Sequence, residues 1–141
     1  MRFRLASLIA RHAAGERSPW AKGVAVPAGL GFVAWAAFEQ WRVGRGTPVQ
    51  CAPTQRLITS GPYARCRNPI EFGAVLYYVG LGTLLGSLFH GLVLGALGLV
   101  LGSAFHRTVE ERELEQRFGE AYLRYRQATP FLFPRLGRRK R

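Results

Sequence analysis

The chain has 141 residues, 48% of them hydrophobic, and a formal net charge of +12. That length suits one domain rather than two. The charge calls for an anionic partner such as nucleic acid, acidic lipid or an anionic ligand. The basic residues, however, cluster outside long apolar runs instead of alternating with polar ones. This excludes a soluble nucleic-acid binder and gives a mean hydropathy of +0.02 only by averaging unlike blocks. Two cysteines, Cys51 and Cys66, provide neither metal-ligand spacing nor a disulfide framework and read as reduced thiols.

In chain order, residues 1–19 carry Arg2, Arg4, Arg11 and Arg17 around a short apolar core, Leu5–Ala10, which is too brief for a signal peptide. An amphipathic segment on the membrane surface fits better, and an Arg-rich, acid-poor transit peptide has the same composition. Residues 20–41 contain the apolar run Val24–Phe38, with Trp20, Trp35 and Trp41 placed to anchor it near the interfaces. Residues 42–69 form a basic loop with Arg42, Arg45, Arg56, Arg65 and Arg67 and no acid.

Residues 70–106 hold the strongest signal. From Phe72 to Phe105 there is no Asp, Glu, Lys or Arg over 34 residues. One helix of that length would be about 51 Å long, against a hydrocarbon core of roughly 30 Å. Two spans, 70–88 and 91–106, fit better, broken at Gly86-Ser87-Leu88-Phe89-His90-Gly91. Glycines four apart at Gly82/Gly86, Gly91/Gly95 and Gly98/Gly102 suit close helix contact in lipid.

Residues 107–128 predict one soluble amphipathic helix, Thr108–Gln127, with Leu114, Phe118, Ala121, Tyr122 and Tyr125 on a face and Pro130 as its stop. Residues 129–141 are a basic tail ending Arg138-Arg139-Lys140-Arg141, suited to anionic headgroups. The fold class expected is therefore all-α: an integral membrane helical bundle with a two-span hairpin and a C-terminal cytoplasmic amphipathic helix. Both flanks of the hairpin are basic, so the positive-inside rule puts loop 42–69 and the C-terminus in the cytoplasm, as in a bacterial inner membrane. A single crossing by Val24–Phe38 would leave the basic N-terminus outside. A surface helix or a re-entrant run would remove that conflict.

A hairpin returns its ends to one face. It would join Thr59 to Gly73, a turn-rich basic stretch, to His106-Arg107-Thr108-Val109-Glu110-Glu111-Arg112. Simpler readings accompany each piece: Gly61-Pro62 as a turn, Pro69 as a helix start, Arg65 and Arg67 as headgroup anchors, Glu110 and Glu111 as helix-start acids. Phe118, Tyr122 and Tyr125 read as packing, and His90 as interfacial.

The order Gly61-Pro62-Tyr63-x-x-x-Arg67-Asn68-Pro69, an apolar hairpin, Glu110-Glu111, then Phe118-Gly119-x-x-Tyr122-x-x-Tyr125 resembles the isoprenylcysteine carboxyl methyltransferase family, related to phospholipid N-methyltransferases. The resemblance runs from Arg45 to Pro134 and includes Gly46-Thr47-Pro48. It implies S-adenosylmethionine as methyl donor and a lipophilic small-molecule or lipid substrate at the cytoplasmic interface. By position it implies cofactor contacts at Gln55, Arg56, Leu57, Ile58, Tyr63, Arg67, Asn68, Pro69, Ile70, Glu71 and Glu110. Arg107 follows the position of a substrate-contacting arginine in the family. An amine acceptor would have to lose its proton, which Glu71 or Glu111 could help; Arg107 and Glu111 are the candidate catalytic residues. The family's usual Arg-His-Pro-x-Tyr becomes Arg67-Asn68-Pro69-Ile70-Glu71 here, with two departures. The competing expectation is a non-catalytic scaffold that binds anionic lipid through the basic loop and tail. A nicotinamide-dependent reductase would need a Gly-rich fingerprint that the sequence lacks.

Overall fold

The computed structural model describes residues 21–46 and 53–137. The surface segment 1–19, Trp20, Thr47-Pro48, Cys51 and the terminal Arg138–Arg141 lie outside the described residues. The described residues contain helices and no strand. Helix α1, Val26–Glu39, is flanked by widened π-type turns at Ala21–Ala25 and Gln40–Gly44. A loop with a short 3-10 turn, Gly61–Ala64, leads to α2, Pro69–Leu85. Helix α3, Leu88–Phe105, continues through a π-type turn, His106–Glu110, into α4, Glu111–Phe118, and α5, Glu120–Ala128, follows.

Helix α2 lies between α1 and α3 and runs antiparallel to both. Its glycines decide how closely. A Cβ on Gly29 would come within 2.6 Å of the Gly73 carbonyl and the Tyr77 amide, and one on Gly73 within 3.0 Å of the Val33 amide. On the other side, a Cβ on Gly82 would lie 2.7 Å from the Gly91 Cα. Backbones this close exchange apolar side chains for dispersion contact along the whole seam, the form of helix association suited to lipid. Thr83, buried in that seam, satisfies its hydroxyl by donating to the Val79 carbonyl at 2.7 Å. Much of the remaining apolar surface of the helices faces outward, with Leu92, Leu97, Val100 and Leu101 exposed.

The hairpin turn is tighter than expected. It occupies Gly86-Ser87, and Leu88 through Gly91 already belong to α3. Ser87 Oγ lies 2.9 Å from His90 Nδ1, so His90 braces the turn. Helix α3 with α4 forms a 31-residue unit, Leu88–Phe118, long and apolar enough to cross a membrane; Pro69–Leu85 is apolar but shorter. Helix α1 follows α2 along its length without turning back.

The single amphipathic helix expected over Thr108–Gln127 is corrected in two ways. It does not start at Thr108 but is continuous with α3. It is also cut at Gly119, whose φ of +51° and ψ of −128° no L side chain adopts without strain. The cut turns Tyr122 and Tyr125 inward under the motif loop, where both are buried. The chain beyond α5 returns across that loop: the Arg67 and Asn68 amides donate to the carbonyls of Pro130 and Phe131 at 2.9 and 3.1 Å, and the Arg135 amide donates to Arg65 at 3.1 Å.

Gly91→Ala should lower the melting temperature in detergent, because its Cβ would strike Val79 and Thr83 of α2. The expected cost is about 1–3 kcal/mol. Gly31, in open space on α1, is the control: Gly31→Ala should be neutral or stabilising by up to about 1 kcal/mol. Equal effects at the two positions would contradict the packing described.

Candidate functional site

The end of α1, the start of α2 and the end of α3 meet at one level, and the chain around them encloses a cavity of about 580 Å³. Its wall begins with the motif loop. Gly61 has a φ of +56°, and a Cβ there would lie 3.0 Å from the Glu39 carboxyl carbon. The glycine therefore provides both the turn and the space in which Glu39 accepts from Ser60 at 2.5 Å and from Arg42 at 3.0 Å. Tyr63 is fixed through its carbonyl, which accepts from Tyr125 Oη at 2.7 Å. Burial raises the pKa of both phenols, so each stays protonated and can donate.

Pro69 occupies the first turn of α2, where a missing amide costs nothing. Asn68 leaves its carbonyl for the Phe72 amide at 3.1 Å and sends its side-chain amide to the Phe131 carbonyl at 3.1 Å. Glu71, in that same first turn, packs against Gly102 of α3, where a Cβ would overlap its carboxylate. Its Oε2 lies 3.5 Å from His106 Nε2, while His106 Nδ1 lies 2.5 Å from Glu110 Oε2. One imidazole thus stands between two carboxylates. It can donate to both only when both ring nitrogens carry protons, which makes it the local counter-charge. The π-type turn His106–Glu110 widens the helix here and supplies His106, Val109 and Glu110 to the wall.

Of the residues expected to hold a cofactor, Leu57, Ile58, Tyr63, Arg67, Asn68, Pro69, Ile70, Glu71 and Glu110 line this cavity together. Gln55 and Arg56 are exposed beside it; the Gln55 amide donates to the Gly44 carbonyl at 2.7 Å. The two candidate catalytic residues also stand outside the lining. Glu111 Oε1 accepts from Arg67 Nη1 at 2.5 Å. Arg107 stacks on the Phe131 ring, 4.5 Å from its centroid, with Arg67 over the same ring at 5.4 Å. Sequence reasoning did not single out Gln40, Thr54, Glu113 or Arg117 of the wall, and it reached His106 only through the register of a substrate-contacting arginine. Arg117 donates to the Thr54 carbonyl at 2.6 Å and ties the loop after α1 to α4. Nothing local marks Gln40 or Arg117.

Four buried side-chain atoms have no hydrogen-bond partner among the described residues: Gln40 Oε1, Tyr63 Oη, Arg67 Nε and Glu71 Oε1. All four belong to residues of this wall. Such atoms each cost about 1–3 kcal/mol when left unmatched, so folds rarely concentrate them without a ligand to match.

The profile of the phospholipid methyltransferase family matches residues 23–121. The chain belongs to the phospholipid methyltransferase family. This group includes the isoprenylcysteine carboxyl methyltransferases, as the motif order implied. A similar curated protein is the cobalt-zinc-cadmium resistance protein CzcN of Cupriavidus metallidurans, 40% identical over 80 residues, or 57% of this chain. The chain spans about a third of that relative's length, 36%. No solved structure matches significantly. The methyltransferases of this family use S-adenosylmethionine, and the family together with the apolar α3 supports a membrane location. Among the described residues no three His, Cys, Asp or Glu side chains are grouped to hold a metal ion.

Two outcomes test this geometry. Glu111→Gln should destabilise the fold by about 1–3 kcal/mol, because it removes the charge facing a largely buried guanidinium. Combining it with Arg67→Met should recover part of that loss; strict additivity in a double-mutant cycle would show that the pair is not coupled. Cys66 is fully buried, and burial pushes its thiol up to about 11. Iodoacetamide at pH 8 should leave Cys66 unmodified by mass spectrometry in the folded protein and label it after denaturation.

Proposed function

We propose that the chain is an integral membrane methyltransferase that binds S-adenosylmethionine in the cavity between the motif loop and the α3–α4 junction. The acceptor is a lipophilic or amphiphilic molecule that arrives from the bilayer. The observation carrying this reading is the set of four unmatched buried polar atoms on Gln40, Tyr63, Arg67 and Glu71. Two are acceptors and two are donors, in keeping with a ligand that bears both an ammonium and a carboxylate. The cavity volume also falls in the range of ligand sites.

The bound donor supplies a methyl group on a cationic sulfur that departs as a neutral thioether. The chain's own residues hold and align. Arg67, with Nε free and Nη1 on Glu111, can grip a carboxylate. Glu110 is the more open of the two carboxylates on His106 and can accept from an ammonium or hydroxyl. Leu57, Ile58, Ile70, Val109 and Leu114 provide an apolar wall for a flat base. Glu111 acts by orienting Arg67, and Arg107 by holding Phe131, so neither is assigned a step on the acceptor. Alignment of donor and acceptor away from water is what such a transfer asks of these residues.

In this reading the chain is one membrane domain, with α1, α2 and α3 crossing and the cavity at the cytoplasmic face. The basic loop, α4, α5 and the tail lie on that side, as expected for a bacterial inner membrane. The scaffold alternative is not favoured, since it gives no reason for a polar cavity at the helix ends.

Glu110→Gln tests the assignment. The chain should fold normally and bind S-adenosylmethionine about tenfold more weakly by calorimetry in detergent. Unchanged affinity would remove Glu110 from the site, and no binding by the folded wild type would remove the cofactor assignment.

A further inference from the structure

A second hollow, of about 530 Å³, lies on the other flank of the motif loop and shares no lining residue with the cavity. Its walls are Phe32 and Trp35 of α1, Phe72 of α2, and Phe133, Pro134 and Leu136 of the returning C-terminal stretch, with Arg65 at the rim. The floor is built, not accidental: Phe32 stacks edge-on against Phe72 at 5.1 Å and against Trp35 at 5.7 Å. The facing wall is pinned by the backbone bonds of Arg67 to Pro130 and of Arg135 to Arg65. That pinning holds Phe133 and Leu136 outward, 71% and 96% exposed. Two bulky apolar side chains would not stand in water on a fixed segment without a cover.

Charge and polarity identify the cover. Arg65 and Arg135 are both exposed, and Arg65 Nη1 donates to the Arg135 carbonyl at 3.3 Å, which keeps the two residues together. Neither forms an ion pair among the described residues. The lining includes no acid. A peptide in the groove would bring backbone groups that six apolar side chains cannot satisfy, whereas an acyl chain brings none. A zwitterionic headgroup would set its cation against arginine, whereas an anionic one presents only a phosphate.

We propose that this groove holds an acyl chain of one anionic phospholipid of the surrounding bilayer, with Arg65 and Arg135 on its phosphate. The lipid is a bound neighbour and not the methyl acceptor. It fixes the loop that forms the shared partition between groove and cavity. The site does not rest on the methyltransferase reading, since it uses none of the cavity's residues.

The test is native mass spectrometry of the full chain, equilibrated in neutral detergent with equal amounts of phosphatidylglycerol and phosphatidylcholine. One phosphatidylglycerol should be retained with about tenfold preference. Arg65→Gln with Arg135→Gln should reduce that preference to about twofold or less. Phe133→Ser, at an exposed position outside the core, should reduce retention of both lipids while circular dichroism stays unchanged. Equal retention of the two lipids by the wild type, or an undiminished preference in the double variant, overturns the proposal. Displacement of the lipid by millimolar inorganic phosphate would also overturn it, by showing a phosphate site that needs no chain. Binding of S-adenosylmethionine, measured on the same sample, reports separately on the cavity.

Discussion

The close approach of α2 to both of its neighbours is the constraint on which the rest of this protein depends. Gly29 and Gly73 bring one pair of backbones together, and Gly82 and Gly91 bring the other. In lipid there is no hydrophobic gain from helix pairing, so contact must come from dispersion over a tight seam. A tight seam fixes register as well as distance. With three antiparallel helices in fixed register, the end of α1, the start of α2 and the end of α3 arrive at one level. Residues as distant in sequence as Gln40, Glu71 and Glu110 then share one wall.

Having three helix ends at one place creates an electrostatic problem that the local chemistry answers in pairs. Glu39 is buried but accepts from Ser60 and Arg42. Arg67 is matched by Glu111 and flattened on Phe131 together with Arg107. Glu71 and Glu110 share the imidazole of His106. A buried charge that keeps a partner is tolerable, and one without a partner is not. Of these groups, Arg67 and Glu71 line the cavity and each keeps one buried atom, Nε and Oε1, turned away from its partner. That arrangement binds a ligand without first breaking an ion pair.

Much of the fold was legible because a bilayer permits so few structures. The charge-free stretch Phe72–Phe105 demanded a break, and the glycines at Gly86 and Gly91 bracketed it; the turn itself proved shorter, at Gly86-Ser87. The motif loop was legible because Gly61-Pro62 and Asn68-Pro69 announce their own backbone conformations. Less legible was anything that required a choice between two helical continuations. Gly119 sits inside a periodic apolar pattern, and only its positive φ shows that the helix breaks there. The return of Pro130–Arg135 across the loop is a backbone pairing, which side-chain patterns cannot encode. His106 and Arg107 are one residue apart, and on a helix that step rotates a side chain by about 100°, so His106 stands in the cavity wall and Arg107 on the Phe131 ring.

The two departures from the related families become intelligible through that register. A carboxylate at Glu71 in place of the usual tyrosine would be a poor choice on an apolar helix unless space and charge were provided for it. Gly102 gives the space, since any Cβ there would overlap the carboxylate. His106, one helical turn further along α3, gives the charge. The glycine and the histidine are separated by four residues, so they present the same face of α3 to the start of α2. The third member of the group, Glu110, follows after another four and takes the other imidazole nitrogen. What looked like a defect in a motif is one end of a matched set carried by two helices. Asn68 follows the same logic in smaller form. It has no titratable proton, but its amide ties the loop to the Phe131 carbonyl, and Phe131 is the ring on which Arg67 and Arg107 rest. The motif positions that changed are therefore the ones through which the loop holds α3 on one side and the C-terminal stretch on the other.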